Sequence, residues 1–152
     1  PYLFPSLKKA DEALDFLYPD IDKLLQKRGY KLLFYSENGW RSIGLKGGFV
    51  KSIADLKGKK MRSQQTDVYL DIWKALGASP QAMPVTEVMS ALTTGACDGF
   101  DNTPLFSFVS SWYQAIDHFT VTEHSYQPGF VLMSKKYWDE LPSDIQTGIL
   151  GD

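Results

Sequence analysis

The sequence holds a single cysteine, Cys97, and only two histidines, His118 and His124, among 152 residues. One cysteine excludes an internal disulfide. It has no basic neighbour in sequence to lower its pKa, so it reads as a buried structural thiol rather than a nucleophile. The two histidines stand six positions apart, and no His, Cys, Asp or Glu cluster has metal-ligand spacing, so no metal and no cofactor are expected. No GxGxxG follows a strand pattern, and the glycines at 44–48 lack the Lys-Ser/Thr ending of a phosphate loop. There is no GxSxG elbow. Charge of one sign is also lacking: 16 basic against 18 acidic residues give a net charge of −2. No basic face therefore argues for nucleic acid or an anionic membrane. No apolar run reaches membrane-spanning length. The chain opens at Pro1-Tyr2-Leu3-Phe4-Pro5 without an initiator Met and stops at 149–152, just after an apparent helix start. It reads as a fragment, so the absence of a leader peptide carries no information.

What is present is an ordinary globular composition, 43% hydrophobic and 22% charged, with aromatics somewhat high at 14%. Ser6 is a good N-cap for Leu7, Ala10, Ala13, Leu14 and Leu17 at helical spacing. Pro19 is expected to break that helix at Tyr18, a second helix running over 20–28 up to Gly29. Residues 30–35 and 40–45 read as two extended stretches around a turn at Glu37-Asn38-Gly39. Ser52 caps a helical turn, 60–63 is a short strand, and Val68, Tyr69, Ile72, Trp73 and Leu76 mark a helix face ended by Gly77. Thr86 is expected to cap the next helix, with Val88, Met89 and Leu92 inward and Gly95 stopping it. After a short strand and turn over 97–102, Thr103-Pro104 opens a helix with Pro at its first position. Its stripe runs from Leu105 to Ile116. Residues 119–122 and 130–133 read as strands, and Ser134 and Pro142-Ser143 begin two last helices. Alternating strands and helices predict an α/β protein with a largely parallel sheet.

Asp98 and Asp101 invite a paired-carboxylate reading, but three positions apart in a strand-turn they need not face each other. Asp98 is expected to satisfy backbone donors around Gly99, and His124 beside Glu123 reads as a surface or strand-end residue. No convergent set of acid and base groups emerges, and the chain is not expected to be an enzyme.

Four segments carry a resemblance. They are S-I-A-D-L-K-G-K-K-M-R (52–62), A-L-G-A-S-P (75–80), M-P-V-T-E-V-M-S-A-L-T-T-G (83–95) and D-G-F-D-N-T-P (98–104). In this order and spacing the chain resembles the solute receptors of tripartite ATP-independent periplasmic (TRAP) transporters, the DctP-like family. P-Y-L-F at the start and Y-W-D-E-L-P-S-D-I-Q (137–146) extend the likeness. The resemblance implies an α/β, periplasmic-binding-protein-like two-lobe fold with ligand held in the cleft, of which this chain holds most of one lobe and parts of the other. Residues 1–39 would belong to the first lobe, 40–127 to a second lobe carrying the ligand Arg, and 128–152 to the return into the first. It further implies a periplasmic receptor that closes like a hinged clamp on a small organic carboxylate and docks on a TRAP membrane permease.

By the same resemblance Arg62 is the residue that pairs with the ligand carboxylate, and its planar fork of donors suits that task. Asn102 matches an amide at the cleft, although it would equally serve as N-cap of the following helix. Arg41 resembles a second family Arg near the hinge, able to add charge or to pair with an acid. Trp40 and Phe100 are candidates for pocket walls or for core, and Gln65 and Tyr69 are candidates from their position just after Arg62. Ser63-Gln64 stands where many relatives have Val-Pro, and Phe100 where Gln is frequent, which bears on which carboxylate is bound. The alternatives are an α/β enzyme acting on a carboxylate substrate and the ligand-sensing lobe of a regulator.

Overall fold

A computed structural model of the chain describes residues 2–151. Pro1 of the opening P-Y-L-F and Asp152 lie outside the described residues. The order of elements is α1 (Leu7–Gln26), β1 (Tyr30–Leu45), β2 (Lys60–Ser63), α2 (Asp67–Ala75), β3 (Ser79–Ala82), α3 (Val88–Thr94), β4 (Gly99–Asn102), α4 (Pro104–Val109), β5 (His118–Ser134), α5 (Lys135–Glu140) and α6 (Ser143–Leu150), with 3₁₀ turns at Ile53–Leu56, Val85–Glu87 and Trp112–Ala115. The five strands form one sheet in the order β3-β2-β4-β1-β5. β2 runs parallel to both β3 and β4, whereas β1 pairs antiparallel with β4. The sheet is therefore mixed rather than largely parallel: β1 enters as a long strand from α1 and not through a β-α-β crossover.

The chain divides into two compact units, Gly39–Ser125 and Tyr2–Asn38 with Tyr126–Asp152. In the first, the strand register sorts side chains to two faces. Met61 pairs with Gly99 and Ile43 with Asp101. One face thus carries Ile43, Leu45 and Met61, which pack with Leu56, Trp73 and Ala78. The other carries Phe100, which packs with Val88, Ala91, Leu92, Cys97 and Trp112. Gly99 is required at the β1–β4 approach, because a Cβ there would run into the Gly44 carbonyl oxygen and the Leu45 side chain. At Ile53–Leu56 the Asp55 carboxylate accepts from the backbone N–H of Lys51 and Ser52, at 2.9 and 2.8 Å, and closes the expected turn.

In the second unit Pro19 does not break the first helix; Leu7–Gln26 is continuous with Pro19 inside. An interior Pro costs about 3 kcal/mol, and contacts on either side of it hold the helix in register. The Tyr18 hydroxyl donates to the Leu32 and Leu33 carbonyls at 2.7 and 3.1 Å. The Asp22 carboxylate accepts from the Leu32 N–H, Lys31 and Gln26. Lys135 N–H donates to Gly29 carbonyl at 2.8 Å, tying the start of α5 to the turn after α1.

Other expectations are corrected by ladder pairing that no local window reveals. Residues 30–45 form one strand, the turn at 37–39 being absorbed with Gly39 at φ 100°. Likewise 118–134 is one strand. β3 was not anticipated, and Thr86 lies within a 3₁₀ turn, Glu87 being the N-cap of α3. The stripe from Leu105 to Ile116 is not one helix: α4 ends at Val109, and Ser111 adopts φ 59° before the Trp112–Ala115 turn.

Candidate functional site

β2 and β4 are parallel neighbours, and ligands of open α/β sheets bind outside the carboxyl ends of such strands. Arg62 is the penultimate residue of β2 and Asn102 the last of β4. The Met61–Gly99 pairing puts both side chains on the same face.

Arg62 is only 3% exposed. Its Nη2 donates to the Met83 carbonyl at 3.1 Å, and its guanidinium carbon lies 5.7 Å from the centre of the Trp112 ring. Its Nε is buried without a partner among the described residues. Burial pushes the Arg62 pKa down from its usual value, and the charge of nearby Arg41 acts in the same direction. A buried guanidinium with most of its N–H donors left over is a strong demand for an anion.

Asn102 does not cap the next helix. Thr103 does, accepting from the Phe106 N–H at 3.1 Å, while the Asn102 side-chain oxygen accepts from the Thr103 N–H at 2.9 Å. The Asn102 amide nitrogen therefore remains available to an acceptor.

Arg41 is fully buried and differently placed. Its Nε donates to the Asp101 carboxylate at 2.6 Å and its Nη2 to the Asp101 carbonyl at 2.5 Å, and the guanidinium stacks 5.3 Å from the Tyr69 ring. Asp101 also meets His124 Nε2 at 3.3 Å, and His124 Nδ1 lies 2.8 Å from the Thr122 hydroxyl. Burial alone would raise the Asp101 pKa. The hydrogen bonds and charges of His124 and Arg41 outweigh it and hold the carboxyl at about 2. The backbone helps to aim His124: Glu123 takes φ 47°, and the Ser42 hydroxyl accepts from the N–H of both Thr122 and Glu123 at 3.2 Å. His124 is thus not a surface residue but a half-buried partner of Asp101.

Of the residues expected at the site, Arg62 and Asn102 lie on one face of the sheet, and Arg41 with Tyr69 on the other. Trp40 is half-buried beside Arg41 on β1, and Gln65 is exposed on the loop after β2. Of the two alternatives for Phe100, the structure has the core one: it has no exposed surface, and its ring packs edge-on against Trp112 at 5.0 Å. The sequence reading missed Asp101 as the partner of Arg41, His124 behind it, and Trp112 beneath Arg62. Strand alternation in D-G-F-D-N does set Asp101 opposite Phe100, but the 60-residue separation from Arg41 leaves no local signal. Asp98 serves backbone, though across to β2 rather than at the turn around Gly99: its carboxylate accepts from Lys60 N–H at 2.8 Å. Among the described residues no group of three His, Cys, Asp or Glu side chains could hold a metal, and no helix is long and apolar enough to cross a membrane.

The architecture is that of the periplasmic binding proteins. It matches the crystal structure of a sugar acid binding protein from Advenella mimigardefordensis in complex with galactonate, with a TM-score of 0.91 and 34% identity, covering 99% of this chain and 48% of that one. Residues 1–151 match the family of bacterial extracellular solute-binding proteins, family 7 (DctP), and the chain belongs to that family. It is 30% identical to the 2,3-diketo-L-gulonate-binding periplasmic protein of Escherichia coli, over 99% of this chain and 46% of that protein. It is 35% identical to the C4-dicarboxylate-binding periplasmic protein of Rhodobacter capsulatus, over 82% of this chain and 37% of that protein. The chain spans about half the length of the relatives it matches. The family consists of solute-binding receptors rather than enzymes.

Proposed function

We propose that the protein is an extracytoplasmic solute receptor that takes up a small organic carboxylate through Arg62 and delivers it, chemically unaltered, to a TRAP-type membrane permease. The observation that carries this reading is the buried Arg62 guanidinium, which has one carbonyl partner and an Nε with none. A carboxylate supplies two acceptor oxygens in the geometry of that fork. The Asn102 amide donates to the same ligand, Trp40 bounds it with apolar surface, Gln65 reaches it from its exposed loop, and Tyr69, on the opposite face, contributes by packing under Arg41. Arg41 acts by holding Asp101 and Tyr69 in place. In this reading 40–127 is the ligand-bearing lobe, and 1–39 with 128–152 are parts of the other. Three of the similar proteins are named for galactonate, 2,3-diketo-L-gulonate and C4-dicarboxylates, all small organic acids.

A micromolar dissociation constant corresponds to about 8 kcal/mol. Two charge-assisted hydrogen bonds supply roughly 3–6 kcal/mol of it, so Asn102 and the apolar walls contribute the rest. The test is a thermal-shift screen of the full-length protein against small organic acids, followed by mass analysis of the recovered ligand. An acid at 100 times its dissociation constant stabilises by about 2.7 kcal/mol and comes back unaltered. Stabilisation by cationic or neutral solutes alone, or recovery of a converted compound, would overturn the reading.

A further inference from the structure

We infer that Trp112 is a positioning residue of the binding site: its ring and the Met83 carbonyl hold the Arg62 guanidinium in one orientation before any ligand arrives. The inference rests on the reading of Arg62 as the ligand's anchor and says what aims that anchor. All three residues lie in the unit Gly39–Ser125.

A guanidinium presents its N–H donors in one plane, so it meets a carboxylate bidentately only at the correct tilt and rotation. A long side chain left free loses rotamer freedom when it binds, and that loss weakens affinity. At Arg62 two contacts remove the freedom in advance. The guanidinium carbon lies over the Trp112 ring, 5.7 Å from its centre. An aromatic face attracts a cation and leaves the in-plane N–H groups to other partners. The Met83 carbonyl takes one of these, from Nη2 at 3.1 Å. That carbonyl is placed by the sheet: the Met83 N–H donates to the Ser63 carbonyl at 3.2 Å, just beyond the Ser63–Ala82 pair that ends the β2–β3 ladder. The ring is immobilised in turn. Trp112 is 2% exposed, and Phe100 and Phe106 pack edge-on against it at 5.0 and 5.4 Å. The chain accepts backbone strain to deliver it: Ser111, one residue before, stands in the left-handed region, which is costly for a residue with a Cβ. The guanidinium is thus fixed while its Nε–H still lacks a partner among the described residues, the arrangement that pre-organisation requires.

The test uses the full-length protein and three probe acids, D-galactonate, 2,3-diketo-L-gulonate and succinate. Calorimetry reads their affinities for wild type, Arg62→Lys, Trp112→Phe, Trp112→Leu and the double variant Arg62→Lys with Trp112→Leu. For the acid that binds tightest, Trp112→Leu is expected to weaken binding about tenfold, the equivalent of ordering one long side chain. Trp112→Phe keeps an aromatic face and is expected to weaken it by no more than about threefold. A Lys ammonium has no plane to orient, so in the Arg62→Lys background the loss from Trp112→Leu is expected to vanish, whereas a merely structural role would carry over. With Arg62→Lys weakened, an equal loss in both backgrounds, or no loss in Trp112→Leu, would overturn the inference and leave the anchor standing. Unchanged affinity in Arg62→Lys, or no binding by any of the three acids, would overturn the anchor and this inference with it. Where Trp112→Leu does not fold, nitrogen NMR of ligand-free wild type decides. The Arg62 side-chain signals, assigned by their loss in Arg62→Lys, are expected to show hindered rotation about the Nε–Cζ bond before ligand is added. Freely averaged signals would overturn the inference.

Discussion

Replacing Arg62 by Met separates ligand binding from folding. Met keeps the aliphatic stem against Trp112 and removes the guanidinium. For the empty protein three terms change. The Met83 carbonyl loses one hydrogen bond, worth about 1–3 kcal/mol with a charged donor. The Trp112 ring loses a cation contact worth roughly 0.5–2 kcal/mol. Against these, a nearly fully buried charge with an orphaned Nε is no longer desolvated, a relief of several kcal/mol. The sum is near zero or favourable, so the melting temperature of ligand-free protein should hold or rise. Binding moves the opposite way. Loss of a bidentate carboxylate pair removes roughly 3–6 kcal/mol, or about 10²–10⁴ in dissociation constant. Calorimetry on ligand-free and acid-saturated protein, wild type beside variant, reads both quantities. Acid affinity within a factor of three of wild type would refute the assignment of Arg62. A large loss of stability in the empty variant would show that the guanidinium is structurally satisfied after all.

Arg41→Met should behave as the reverse case: it leaves the buried Asp101 carboxylate with His124 as its remaining side-chain partner and costs about 3 kcal/mol of stability in chemical denaturation. Asp101 titrates at about 2 in the folded protein against an ordinary 3.8. At 1.36 kcal/mol per pH unit, it contributes roughly 2 kcal/mol of stability that is complete above pH 5 and lost as pH falls toward 2. The sign follows from the depressed value: the unfolded carboxyl takes up its proton first, so acid favours unfolding. The stability gap between wild type and Asp101→Asn should close by about that amount between pH 5.5 and 2, and a constant gap would show that the carboxyl is not held down by its partners. Gly99→Ala should destabilise by more than about 2 kcal/mol, because the new Cβ meets backbone rather than a movable side chain; a neutral effect in urea unfolding would contradict the β1–β4 register.

What the sequence disclosed and what it withheld divide along the range of the interactions. Caps and stops at Ser6, Gly77, Gly95 and Pro104 are local, and the structure has them where the sequence puts them. Pro19 misled because its helix is held by the Tyr18 hydroxyl and the Asp22 carboxylate reaching the chain 10 to 15 residues on. The joined strands at 30–45 and 118–134 misled because the turn chemistry at Asn38-Gly39 and the gap between 119–122 and 130–133 are overruled by ladder pairing. At the site, the motifs put Arg62 and Asn102 near the carboxyl ends of two short strands, and the structure has them there. Asp101 and His124 were not legible, since their meaning depends on Arg41, 60 residues away from Asp101.

The two arginines illustrate why motif position alone does not assign a role. Both are buried, both come from strands of one sheet, and both stand near an aromatic ring, Tyr69 under Arg41 and Trp112 under Arg62. They differ in one respect, the carboxylate that Arg41 has and Arg62 lacks. A guanidinium already matched to an acid gains little from a second anion, and it would have to share or lose a good partner to take one. An unmatched one gains the full difference between a desolvated charge and a paired one. Stability is thus invested in Arg41 and withheld at Arg62, and under the proposed function the binding energy falls where the folded chain leaves the Arg62 Nε without a partner.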